Sequence, residues 1–62
     1  MTADEIDQQY ALFRARREEA DARIFQAIAA GDVAAARLAL TEFVDSDVAL
    51  QAYLRLKMTA TP

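Results

Sequence analysis

Ala27-Ile28-Ala29-Ala30-Gly31-Asp32-Val33 contains the single glycine of the chain, and its reading decides the fold. Glycine enters the left-handed conformation that ends a helix without a steric penalty. Aspartate is a favoured N-cap, because its carboxylate accepts from an amide in the first turn of the helix that follows. Gly31-Asp32 therefore reads as a stop followed at once by a start. Upstream, no Gly and no Pro interrupts the chain back to Thr2-Ala3-Asp4-Glu5, which has the spacing of a capping box. In such a box Thr2 accepts from the Glu5 amide and Glu5 reaches back to the Thr2 amide. Asp4 and Glu5 also suit the positive end of the helix dipole. The first helix is predicted over residues 3–30. The second is predicted over 32–58, with 59–62 as a frayed tail.

Asp45-Ser46-Asp47 is the weak stretch of the second helix. All three are poor helix formers that double as N-caps, and a break there would make three helices. The hydrophobic register argues for continuity. At about 100° per residue the first helix shows one stripe: Ile6, Tyr10, Phe13, Arg17, Ala20, Ile24, Ala27 and Ile28. The same reading of a continuous second helix gives Val33, Ala36, Leu40, Phe43, Val44, Asp47, Val48, Leu50, Gln51, Leu54 and Met58. Each stripe has one charged misfit at its centre, Arg17 and Asp47. Folding the chain back at Gly31-Asp32 sets Ile28 against Ala36, Ile24 against Leu40, Ala20 against Val44, Phe13 against Leu50 and Gln51, Tyr10 against Leu54 and Ile6 against Met58. In that register Arg17 meets Asp47 as a polar core pair. Two competing readings exist for these residues: Arg17 snorkelling outward or pairing with Asp21, and Asp47 capping a third helix.

The chain has 62 residues, 55 % of them hydrophobic and 27 % charged, with one Gly, one Pro and no Cys, His or Trp. This is an all-α profile and room for a single domain. Without Cys there is no disulfide framework, thiolate site or cysteine nucleophile. Without His the usual base near neutral pH and the commonest metal ligand are missing. Ten carboxylates are present, but no pattern of catalytic or metal-ligand spacing. Asp45-Ser46-Asp47 lacks the glycine and distal Glu of a calcium loop. No enzyme activity, cofactor or metal is expected. The N-terminal residues through Asp7 are acidic rather than basic and apolar, so no secretory signal is read there. No apolar run reaches the roughly 20 residues of a membrane span. A cytoplasmic location is expected.

A chain this short buries only about 60 % of the surface its unfolded form exposes. Residues away from the two stripes, Phe25, Leu38, Tyr53 and Leu56, are read as an outer surface at a subunit or target interface. Alanines on that surface would otherwise be plain helix filler. The expected architecture is an antiparallel helical hairpin that dimerises into a four-helix bundle. The expected function is a small non-enzymatic protein–protein interaction module, an adaptor, regulator or inhibitor of a larger target. Two alternatives stand beside it. Arg14, Arg16 and Arg23 on the first helix could contact nucleic-acid phosphates, although net charge is −3 and Arg14–Glu18 and Glu19–Arg23 are spaced to pair along the helix. The chain could also be a structural subunit of a larger assembly.

Two likenesses accompany this reading. Ala27-Ile28-x-x-Gly31-Asp32-x-x-x-Ala36-Arg37-x-x-Leu40 resembles the terminal helix hairpin of the ligand-binding domain in GntR-type transcription regulators. In that family two histidines near this hairpin help bind metal. Asp21 and Phe43 stand in those places here, so no metal site is carried over. The plan of a roughly 60-residue helical hairpin also resembles Rop-type plasmid copy-number proteins, dimeric bundles that bind paired RNA loops. That likeness is of architecture and brings no shared motif.

Overall fold

The computed structural model describes residues 2–60. Two α-helices of equal length, α1 (Ala3–Ala30) and α2 (Val33–Ala60), fold back on each other as an antiparallel hairpin. No strand occurs among the described residues. The rod measures 48 × 14 × 14 Å with a radius of gyration of 14.2 Å, against about 11 Å for a compact chain of this length.

The ends of the helices follow from local chemistry. The Thr2 hydroxyl oxygen accepts from the Glu5 amide at 3.2 Å. The Glu5 carboxylate meets the Thr2 hydroxyl, which donates to Oε1 at 3.2 Å, rather than the Thr2 amide that was expected. Gly31 has φ 70° and ψ 19°, the left-handed conformation. Its amide donates to the Ile28 carbonyl at 3.0 Å, and the Asp32 amide donates to the Ala27 carbonyl at 2.9 Å. This 6→1 and 5→2 pair is a Schellman motif. Asp32 then caps α2, its Oδ1 accepting from the Ala35 amide at 3.0 Å.

α2 passes through Asp45-Ser46-Asp47 without a break. Each of the three has a use in a helix: Asp45 faces solvent, Ser46 is buried against α1, and Asp47 meets Arg17. The frayed tail expected from residue 59 is not found at Thr59 and Ala60, where the helix continues. Thr59 donates its hydroxyl to the Arg55 carbonyl at 2.8 Å, the i−4 bond that threonine makes inside helices. The rest of that expected tail, residues 61–62, lies outside the described residues.

The seam corrects one expectation. On α1 the expected stripe lies inward: Ile6, Ala20 and Ala27 are buried, and Tyr10, Phe13, Arg17 and Ile24 are half-buried. Ile28 is the exception at 64 % exposed. On α2 the buried residues are Ala39, Ser46 and Leu50, flanked by half-buried Ala35, Phe43, Ala49 and Tyr53. Val33, Leu40, Val44, Val48, Gln51 and Met58 were expected inside and are exposed. The contact face is displaced from the expected stripe by one residue step, about 100° around the helix. Size explains the choice. Ala20 and Ala27 on one helix and Ala39 and Ser46 on the other present little bulk, so the backbones can approach closely. A seam centred on Leu40 and Val44 would hold them further apart.

Candidate interaction surface

A ladder of polar and aromatic contacts runs along the seam. Arg23 Nη1 donates to Glu42 Oε2 at 2.9 Å nearest the turn. Arg17 Nη1 donates to Asp47 Oδ1 at 2.8 Å at mid-hairpin, with the two side chains 32 % and 40 % exposed. This is the expected polar core pair. Its partial exposure places it between a surface and a buried ion pair, worth on the order of 1 kcal/mol. Further out, the Phe13 and Tyr53 rings stack with centroids 5.7 Å apart and an interplanar angle of 20°. At the open end Lys57 Nζ lies 3.0 Å from Asp7 Oδ1 and 5.7 Å from the Tyr10 ring centroid. That pair joins an acid near the N-terminus of α1 to a base in the last turn of α2, which favours both helix dipoles.

The four residues expected at one outer interface do not form one patch. Tyr53 belongs to the seam, stacked on Phe13 and half-buried. Its ring reaches across to α1, which a wheel of Cα positions does not reveal. Phe25, Leu38 and Leu56 are exposed, but on opposite flanks. Phe25 lies one turn before Ile28, which lines a shallow apolar depression at the turn end with Ile24, Val33, Ala36 and Leu40. Leu38 lines a different depression with Arg23, Gln26 and Glu42. Leu56 follows Leu38 by five whole turns and shares its flank.

The hairpin thus has two unlike flanks. One carries Ile28, Val33 and the i, i+4 ridge Leu40, Val44, Val48, with Met58 five turns beyond Leu40; all six are exposed. The other carries Leu38 and Leu56 beside the Arg23–Glu42 pair and a cluster of Arg16, Glu19 and Asp45.

Of the arginines considered for nucleic acid, Arg16 and Arg23 share a face two turns apart and line one depression, while Arg14 lies on another face. Arg14 and Arg16 are two residues, about 200°, apart on the helix. Arg14 pairs along the helix with Glu18 at 3.7 Å, as its spacing suggested. The Arg16 guanidinium stands over the Phe13 ring, 5.2 Å from its centroid. Arg23 turns across the seam to Glu42 rather than along α1 to Glu19.

Besides Arg23–Glu42, two seam contacts were not anticipated, Phe13–Tyr53 and Asp7–Lys57. The second lies in the turn-derived register and was within reach of sequence reasoning. The first depends on ring conformers that spacing does not specify. Among the described residues, no three acidic side chains gather into a group that could hold a metal ion, and no helix is long and apolar enough to cross a membrane. Comparisons with protein-family models, curated proteins and solved structures find no match for the chain.

Proposed function

We propose that this chain is a small non-enzymatic protein–protein interaction module that acts in the cytoplasm as a homodimer. Its role on this reading is to cover part of a larger target as an adaptor, regulator or inhibitor. The observation that carries the reading is the exposure of ten large apolar side chains among the described residues of so short a chain. Scattered apolar residues on a surface need no explanation, whereas a row of them along one flank marks a contact surface. Arg14, Arg16 and Arg23 are each engaged by a neighbouring side chain, which supports protein rather than phosphate as the partner.

Affinity capture from the native host with the tagged chain and with its Leu56→Glu variant tests the proposal. A protein target retained by the first, lost by the second at unchanged helix content, and insensitive to added salt is the expected result. Retention of nucleic acid alone, weakening steeply with salt, would overturn it.

A further inference from the structure

We infer that a second copy of this chain covers the flank built on Leu40, Val44 and Val48, leaving the Leu38–Leu56 flank for the target. The inference rests on the interaction-module reading and adds which surface serves which partner. The first argument is area. A compact folded chain of 6.9 kDa exposes about 4,000 Å². This hairpin exposes 4,691 Å², an excess of about 700 Å² over that scaling. A standard protein interface takes about 800 Å² from each partner. The surplus is therefore the size of one copy's share in one interface.

The second argument is where the apolar surface lies. Of the ten exposed large apolar residues, seven are on this flank or its outer edge: Phe25 and the six from Ile28 to Met58 named above. The row Val33, Leu40, Val44, Val48, Gln51 and Met58 contains no charge. Each copy carries net charge −3, so copies repel at long range, and a row without charge is where they meet at least electrostatic cost. The opposite flank presents Arg16, Glu19, Arg23, Glu42 and Asp45, a mixed pattern suited to selecting a different partner. An apolar row running along the rod is also self-complementary about a two-fold axis, as a closed dimer requires.

Sedimentation equilibrium at micromolar concentration should give twice the 6.9 kDa chain mass. Val44→Glu should weaken the dimer at least about 100-fold, since it would seat an unpaired charge in a dry interface. Leu38→Glu should leave it within about threefold, as a charge outside the interface costs little. Because Val44→Glu monomers could lose helix content, methyl NMR of the unmodified chain provides a second reading. On dilution the Leu40, Val44 and Val48 signals should shift while those of Leu38 and Leu56 stay. A dimer that survives Val44→Glu and dissociates with Leu38→Glu would overturn the face assignment and keep the homodimer. A wild-type monomer throughout the range would defeat the homodimer as well, leaving capture of the target as a separate test.

Discussion

The two helices have the same length and leave different things outside. α1 exposes three large apolar residues, Leu12, Phe25 and Ile28, among ten charged ones. α2 exposes seven, Val33, Leu38, Leu40, Val44, Val48, Leu56 and Met58, among six charged ones. α1 is an amphipathic helix whose apolar stripe, Ile28 apart, is covered at least in part by its partner. α2 is apolar over a far wider arc than one neighbour can cover. In the hairpin α2 therefore leaves more apolar surface uncovered than α1 does. Within α2 the inward arc mixes small Ala39 and Ser46 with large Leu50, and the outward ridge is leucine and valine.

The sharpest test of this contrast uses two leucines of α2. Leu50 is 3 % exposed and Leu56 47 %. Leu50→Ala should cost about 3 kcal/mol, from lost transfer energy and the cavity left behind. Leu56→Ala should cost less than about 1 kcal/mol. Urea unfolding of both variants measures the difference, and equal costs would mean that the inward and outward arcs have been confused. A smaller effect, about 1–2 kcal/mol, is expected for Gly31→Ala. A methyl group at this position meets nothing within 4 Å, so the loss comes only from forcing alanine to φ 70°. It should lower the stability of the hairpin without changing its partner surfaces.

Next comes the one half-buried charge of α1, Arg17. Arg17→Met and Asp47→Leu should each destabilise, while the double variant is tolerated or stabilised, with a coupling of about 1 kcal/mol in a double-mutant cycle. Additive effects would mean that the two side chains do not interact in solution. The smallest effect belongs to Arg23 and Glu42, whose side chains are 56 % and 45 % exposed. Their coupling should stay below about 0.5 kcal/mol and fall further with salt.

The hairpin itself was readable from residues. Gly31 and Asp32 declare the turn through conformations and caps that few other residues supply. The Arg17–Asp47 match declares the pairing of the helices along their length. The stripe of α1 was readable because its apolar residues are few and their spacing admits one face. The seam of α2 was readable only in part: Ala36, Phe43, Asp47, Leu50 and Leu54 lie inward as expected, and the other members of its stripe lie outside. Leu40, Val44 and Leu50 all satisfy helical periodicity, and periodicity carries no information about how near two backbones can come. That is decided by the alanines and Ser46, which a hydrophobicity pattern ranks low. Tyr53 was placed outside for the same reason. The outer surface was legible as a surplus of apolar residues, but its division into two flanks required knowing which arc of α2 is inward.

The tight turn at Gly31 also sets an order of events. Arg23 and Glu42 are 19 residues apart in sequence and Arg17 and Asp47 are 30, and Phe13–Tyr53 and Asp7–Lys57 enclose longer loops still. Each contact formed from the turn outward shortens the loop that the next must close, so closure is least costly in entropy near Gly31. The molecule is in this sense a zipper fastened at one end. Amide protection against hydrogen exchange should decline from the turn toward the open end, where the Asp7–Lys57 clasp is the last to fasten and the first to part.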